Sequence, residues 1–438
     1  MISRLTKEPF ILLAGDIVAF SLALWLALLV RFRAIPPAWR LQAHFFPFLV
    51  VFALWVVVYF IFDLYRRQRS AYRRRTADVV ARAHFSAALL SVLLFYLYPF
   101  FNLTPRVVLV LFTALSLALV LWWRLRIVDL FYRGPMERAV MLDTRAELIE
   151  LRDELANNPK YRIDLIEGLS PEQFAARGVQ VVIFDPTSPV FGQHRVALYQ
   201  LTLRGARFVD ARALYEEIFD RVPLALLDEG WFLANVTNTQ KSFYDLAKRV
   251  MDLVIAIPLG LLSVLLLPFI YSAIRMDDGG PLFVKQERVG KNGKLFPLYK
   301  FRSMTGNDSG KYGAGGTTNL RVTRVGGFLR RTRLDEFPQL WSVIRGDQSL
   351  VGPRPELPPL AEVYRNEIPY YDVRHLLKPG LSGWAQIYHE QHPHHGTAVE
   401  QTRDKLSYDL YYVKNRSFAL DLKIALKTIK TLLSVVGV

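Results

Sequence analysis

The first third of the chain alternates long apolar runs with short basic breaks. Apolar stretches cover about Pro9–Val30, Ala43–Tyr65, Val79–Phe100 and Val107–Trp123. Each is close to the roughly 20 residues that a bilayer core requires, so the pattern predicts four membrane-spanning helices. A cleaved leader does not fit, because the first run is too long and others follow it. The breaks predict orientation. Arg66, Arg67, Arg69, Arg73, Arg74 and Arg75 separate the second and third runs, and Arg124, Arg126 and Arg133 follow the fourth. The first loop has Arg31, Arg33 and Arg40, and the third only Arg106. Positive charge marks the cytoplasmic side, so the N-terminus and everything after Arg133 are expected in the cytoplasm.

The pattern changes at about residue 134. Arg138–Leu142 and Val179–Phe184 read as buried strands, and Thr144–Asn157 as an acidic helix, which together predict a small α/β unit over 134–240. The turn after the first strand, Asp143-Thr144-Arg145, lacks the glycines that let a backbone approach a pyrophosphate, so a dinucleotide site is disfavoured there. A further apolar run, Val250–Ile274, is long enough to span. Basic residues flank both its ends (Lys241, Lys248 and Arg249 before; Arg275, Lys285 and Arg288 after), and Pro258, Gly260 and Pro268 interrupt it. A helix over about 248–275 that enters the membrane, breaks and returns satisfies both features, whereas an ordinary fifth crossing would put one basic cluster outside.

Charge sharpens this division. Residues 1–133 carry 16 basic and 5 acidic side chains, 134–240 carry 11 and 16, and 241–438 carry 28 and 18. The positive charge therefore lies beside the apolar runs and in the last third, which suits lipid headgroups and phosphate-bearing substrates better than a nucleic-acid face. There is no cysteine, so disulfides, thiolate metal sites and Cys nucleophiles are excluded.

Four groups of residues in the last third carry candidate chemistry. Arg288, Lys300 and Arg302 flank an Asn292-Gly293 hairpin signal and are spaced to line one surface, either a solvated positive face or a clamp for a diphosphate. Asp335 and Glu336 are adjacent carboxylates behind Arg330, Arg331 and Arg333, between Leu334 and Phe337. Such a pair is often merely solvated, but an Asp kept ionised by neighbouring arginines can attack phosphorus and split a transfer into two easier steps. Arg354 is pinned between Pro353 and Pro355, which spends backbone freedom to aim one guanidinium. Leu377–Gln386 is a turn-rich loop containing Lys378 and Gln386.

Taken in order, Glu287-Arg-Val-Gly, Tyr299-Lys-Phe-Arg-Ser-Met, Leu334-Asp-Glu-Phe-Pro-Gln-Leu-Trp, Val351-Gly-Pro-Arg-Pro and Lys378-Pro-Gly-Leu-Ser-Gly-Trp-Ala-Gln closely resemble the bacterial sugar transferases known as monotopic phosphoglycosyl transferases. The match covers roughly 241–438. The tail Lys405–Ser417 and the preceding helices resemble the large, N-terminally extended branch that starts O-antigen, capsule and exopolysaccharide repeat units. The resemblance implies three parts: a four-helix transmembrane bundle (1–133), a small α/β domain of degenerate Rossmann-like type (134–240), and a mixed α/β catalytic domain with a re-entrant membrane helix (241–438). It implies an enzyme of the bacterial inner membrane in which Asp335 attacks the β-phosphate of a UDP-sugar and releases UMP. Undecaprenyl phosphate then takes the phosphosugar. Mg²⁺ would neutralise the diphosphate with Asp335 as a ligand, and Glu336 would support the acid/base or positioning chemistry. Arg288, Lys300, Arg302, Arg330, Arg354, Lys378 and Gln386 are the corresponding substrate-binding candidates. A homodimer is expected, and no nucleic-acid partner. The family's helix break falls near a Ser-Pro pair, whereas this chain has Leu267-Pro268, so the break point is shifted or different.

Other features point less clearly. His389, His392, His394 and His395 with Glu390 could hold a metal, but Pro393 and Gly396 mark a loop beside the substrate instead. Gly306–Gly316, with Lys311, reads as a linker or lid, and Asp277-Asp278 as a turn. The competing functional reading is a catalytically silent membrane scaffold for polysaccharide assembly.

Overall fold

The computed structural model describes residues 2–65, 73–97, 106–127, 135–143, 145–158, 161–168, 170–236, 242–305, 320–388 and 399–433. The histidine cluster 389–395, the glycine-rich stretch 306–316 and the arginines at 66–69 lie outside them. Internal packing divides the chain into Met1–Leu214 and Tyr215–Val438.

In the first unit, four apolar helices, α1 (Ile2–Phe32), α2 (Ala38–Ile61), α3 (Arg73–Leu97) and α4 (Arg106–Trp122), pack around a shared aromatic centre of Phe20, Phe48, Trp55, Tyr59 and Phe112. Each is long and apolar enough to cross a membrane, which makes this a membrane protein. Several polar groups inside the assembly are paired, as a low-dielectric interior favours. Arg124 binds both carboxylate oxygens of Asp16 and also donates to the Leu64 carbonyl at 2.8 Å. The Tyr59 hydroxyl lies 2.7 Å from His84 Nδ1, tying α2 to α3.

The same unit contains a four-stranded parallel sheet. Strands β1 (Glu137–Met141), β2 (Ile163–Leu165), β3 (Val181–Phe184) and β4 (Arg207–Asp210) lie in the order β2-β1-β3-β4. Helices α5 (Ala146–Asn157) and α6 (Arg195–Leu203) accompany it. Sequence patterning anticipates β1, β3 and α5. The three- and four-residue strands β2 and β4 are too short to show a period. At the carboxyl ends of β1 and β3, Arg145 pairs with both Asp143 and the buried Asp185.

The second unit is built on α7 (Ser242–Asp277), and the break expected within about 248–275 is absent: Pro258 and Pro268 are accommodated in one continuous helix. Both of its ends are fastened to the same fold. Near its start, Arg249 donates to the carbonyls of Val343 and Ile344 at 2.6 and 2.7 Å, and Asp252 accepts from Leu350 N at 3.0 Å. At its end, Asp277 accepts from Val325 N at 2.8 Å. Between them one face is buried at Ala256, Gly260, Ser263, Ile270 and Ile274, while Leu261, Leu265 and Phe269 are exposed. The hairpin β5 (Phe283–Val289) and β6 (Leu295–Phe301) follows, turning through Asn292 and Gly293, both at positive φ. Then come α8 (Arg324–Arg331), α9 (Gln339–Arg345), β7 (Ser349–Val351), α10 (Pro358–Glu367), β8 (Gly380–Ser382), α11 (Trp384–Tyr388), α12 (Val399–Asn415) and α13 (Phe418–Leu433). Strands β7 and β8 pair in parallel, and Gly352 and Gly380 lie where a Cβ would run into facing backbone.

Residues upstream of α7 belong to this second core. Val222, Trp231 and Val236 pack with Tyr364, Tyr371, Leu406, Leu410 and Val413. Val222 N donates to Ser407 O at 3.1 Å, and Trp384 Nε1 donates to Asp220 O at 2.8 Å. The fully buried Asp421 accepts from Tyr244 at 2.7 Å, Lys248 at 2.8 Å and Tyr412 at 2.7 Å, which locks α13 to the foot of α7. Helix α13 still exposes Phe418, Leu422 and Ile429 along one stripe.

Helix α8 sets up the residues that follow it and leaves no space at its N-terminus. A Cβ on Gly326 would collide with the Ser303 backbone. Gly326→Ala should therefore destabilise the second unit by about 2 kcal/mol or more. Thermal unfolding of the detergent-solubilised protein measures this, and an unchanged midpoint would contradict the close approach.

Candidate active site

The adjacent carboxylates sit in a 3₁₀ turn, Leu334–Glu336, between α8 and α9. Arg333 enters it with φ of 55°, a left-handed conformation that costs a non-glycine residue roughly 1 kcal/mol or more. Pro338, at φ −58°, starts α9 immediately afterwards. The two side chains consequently meet different surroundings.

Glu336 receives the positive charge. Its Oε1 lies 3.2 Å from Arg354 Nη2, 3.8 Å from Arg333 Nη1 and 4.0 Å from Lys300 Nζ. Burial alone would raise its pKa, but Arg354, Lys300 and Arg333 outweigh it and hold the carboxyl below its usual range. Asp335 is 9% exposed, and its Oδ1 is buried without a hydrogen bond among the described residues. Burial and the neighbouring Glu336 charge push its pKa up to about 6, against the opposing pull of Lys300, Arg333 and Arg330. That corresponds to roughly 3 kcal/mol against ionisation, so the cations compensate only in part. The sequence places the arginines as if to keep Asp335 charged. Of those arginines only Arg333 approaches Glu336, where Arg354 and Lys300 join it, and Asp335 is left as a more basic carboxylate that is still ionised at neutral pH.

Lys300 and Arg288 project from one face of the β5–β6 hairpin, since paired positions Lys300↔Val284 and Arg288↔Phe296 share its parity. Burial and the nearby Arg354 and Arg288 charges, only partly offset by Glu336, lower the Lys300 pKa to about 8. Arg288 donates to Gln286 Oε1 at 2.6 Å and to the Pro355 carbonyl at 3.2 Å. Arg330 contacts Met304 Sδ at 3.4 Å and acts on Asp335 through its charge. With Lys300, Arg330, Arg333 and Arg354 facing two carboxylates, the site has surplus positive charge, as recognition of a diphosphate requires.

The other candidates lie elsewhere. Arg302 donates to Asp278 at 2.7 Å, so the Asp277-Asp278 turn holds one helix cap and one arginine. Lys378 stands beside Gly346 and Arg249 at the far end of α9. Gln386 is on α11, its Oε1 buried near Gly383 without a hydrogen-bond partner among the described residues. Among the described residues no three His, Asp or Glu side chains form a metal cluster. The free Asp335 Oδ1 is nevertheless suited to the one or two carboxylate contacts with which Mg²⁺ is held when substrate phosphates and water supply the rest.

The second unit also resembles known proteins in sequence. Residues 243–435 match the family model described as bacterial sugar transferase. The chain is 44% identical over 199 residues to the UDP-N-acetylgalactosamine-undecaprenyl-phosphate N-acetylgalactosaminephosphotransferase of Aeromonas hydrophila, covering 44% of this chain and 45% of that protein. It is 40% identical over 185 residues to the UDP-glucose:undecaprenyl-phosphate glucose-1-phosphate transferase of Escherichia coli, covering 42% and 39%. It is 39% identical over 191 residues to the uncharacterized sugar transferase EpsL of Bacillus subtilis, covering 44% and 89%. The match thus spans less than half of the two longer relatives and most of the shorter one. The chain belongs to the bacterial sugar transferase family.

The carboxylate environments make a pH prediction. If Asp335 must be ionised to react, kcat/KM should fall as pH drops through about 6. Glu336→Gln removes the like charge that raises Asp335, so the residual activity should lose its acid limb at a lower pH than the wild type does. A limb that stays put or moves up would show that another group controls it.

Proposed function

We propose that this protein transfers a sugar-1-phosphate from a UDP-sugar to undecaprenyl phosphate through a covalent intermediate on Asp335, as the first membrane step of O-antigen, capsule or exopolysaccharide repeat-unit assembly. The observation that carries this reading is the division of labour in the turn: Glu336 takes the cations, while Asp335 keeps a buried, unbonded oxygen and a raised pKa. A carboxylate of that kind is a better nucleophile than an ordinary Asp and remains ionised at pH 7.

In the first half-reaction, an Asp335 oxygen forms a bond to the β-phosphorus, and the bond from that phosphorus to the bridging oxygen breaks. UMP leaves with that oxygen, and the phosphosugar stays on the carboxylate as an acyl-phosphate. In the second half-reaction, an oxygen of undecaprenyl phosphate attacks the same phosphorus. The Asp335–phosphorus bond breaks, which regenerates the carboxylate and yields the diphosphate-linked lipid sugar. Arg354, Lys300, Arg333 and Arg330 bind and orient the phosphate oxygens in both halves. Mg²⁺, held by Asp335 Oδ1 and the donor diphosphate, would add neutralising charge.

The membrane arrangement follows from the same site. A soluble donor and a lipid acceptor must both reach Asp335, so the second unit belongs at the cytoplasmic headgroup level of the inner membrane. The basic flanks of the first four apolar runs support that orientation. Helix α7 then enters the bilayer with both ends kept on one side, a reading supported by its bonds to one fold near Arg249 and at Asp277. The exposed Phe418, Leu422 and Ile429 stripe on α13 suits a helix lying at the membrane surface.

The test is release of UMP on mixing the purified protein with Mg²⁺, undecaprenyl phosphate and a panel of UDP-sugars. Activity with at least one is expected, and silence with all would favour a scaffold. Asp335→Asn should abolish turnover and leave no phosphosugar adduct on the protein detectable by mass spectrometry. Full activity in that variant would remove Asp335 as nucleophile. Arg354→Ala should cut kcat/KM by about 100-fold or more with the unfolding midpoint kept within a few degrees. An unaffected rate would make Arg354 structural.

A further inference from the structure

The aim of the Arg354 guanidinium depends on how the backbone of 353–356 is held. The flanking prolines fix φ on either side, but they do not place the segment. Its four carbonyls do. Pro353 O accepts from Gly380 N at 2.9 Å, and Glu356 O accepts from Val289 N at 3.0 Å. Pro355 O accepts from Arg288, and Arg354 O accepts from Arg374 Nη2 at 2.8 Å. The last of these comes from a residue no motif had singled out.

Arg374 is 2% exposed, and both of its terminal nitrogens are engaged. Its Nη1 donates to Tyr371 Oη at 2.8 Å, and its guanidinium pairs with Asp409 at 2.8 Å and with Glu356 at 3.8 Å. Glu356 also binds Lys405 directly. Two cations and two carboxylates therefore neutralise one another in the interior. Burial would push the Glu356 carboxyl up, but Lys405 and Arg374 hold it down at about 2, whereas burial raises Asp409 and lowers Lys405. Replacing such a network by apolar side chains is often neutral or stabilising, so stability alone gives little reason for it. What an apolar core could not supply is a rigid N–H directed at the Arg354 carbonyl. Asp409 and Lys405 lie on α12, in the Lys405–Tyr412 segment to which the transfer chemistry gives no role.

We propose that Arg374 is a positioning residue: anchored by Asp409, Glu356 and Tyr371, it fixes the Arg354 carbonyl and so aims the Arg354 guanidinium at Glu336 and the substrate phosphates. This rests on the transferase reading above. A Lys at 374 keeps the charge but loses the rigid planar fork whose separate nitrogens reach Tyr371, Asp409 and the Arg354 carbonyl.

The experiment is a double-mutant cycle on the full-length protein. Initial rates of UMP release are measured with the UDP-sugar that the wild type uses and undecaprenyl phosphate, for wild type, Arg374→Lys, Arg354→Ala and the double variant. Arg374→Lys should lower kcat/KM by about 10-fold or more on its own, and by no more than about 2-fold when Arg354 is already absent. Equal losses in both backgrounds would overturn the proposal and leave Arg374 a fold residue, because a purely structural defect does not depend on Arg354. Should Arg374→Lys fail to fold, Tyr371→Phe removes only one partner of the guanidinium, and the same comparison with a loss of about 3-fold decides the question. A wild type that releases no UMP from any UDP-sugar would sink the transferase reading and this proposal with it, and is seen before any variant is compared.

Discussion

Two neighbouring carboxylates in one partly buried site repel each other, and the cations around them are shared unequally. Arg354, Lys300 and Arg333 all approach one oxygen of Glu336, so that group carries the fixed negative charge. Asp335 then ionises in its presence and with less help, which raises its basicity without making it neutral at physiological pH. Were the cations centred on Asp335 instead, it would be a weaker base and a poorer attacking group. The proposed chemistry therefore depends on where a single turn points two adjacent side chains, and the left-handed Arg333 is part of that pointing.

The remainder of the second unit acts on this turn through rigid connections. Helices α8 and α9, on either side of it, pack on opposite ends of the long apolar helix α7. The hairpin brings Lys300, and the β7–β8 pair brings the segment that carries Arg354. Glycine is required where these backbones meet, at Gly326 against Ser303 and at Gly352 and Gly380 against each other. The longest apolar helix thus also supports the turn that carries Asp335 and Glu336.

What could be read in advance follows a physical divide. The long apolar runs, the hairpin with its Asn-Gly tip, and the Asp-Glu pair beside arginines are local in sequence, and the ordered motifs between 287 and 386 are enough to indicate the family. Contacts between distant positions were not legible. Nothing near Asp16 announces Arg124, and nothing near Arg354 announces Arg374, because both pairs are created by packing. The arginines before Asp335 were visible as charge, but their direction depends on the backbone at Arg333, which composition does not encode. Arg302 looked like a partner of Arg288 and Lys300 by spacing, yet it stands just beyond the strand and meets Asp278.

The packing of Val222, Trp231 and Val236 has a practical bearing on how this enzyme can be dissected. Those side chains sit among Tyr364, Leu406, Leu410 and Val413, and Asp220 and Val222 bond directly to Trp384 and Ser407. A fragment trimmed to the start of the long apolar helix would uncover greasy surface and invite aggregation. A catalytic piece that begins near residue 215 carries its own lid for that surface.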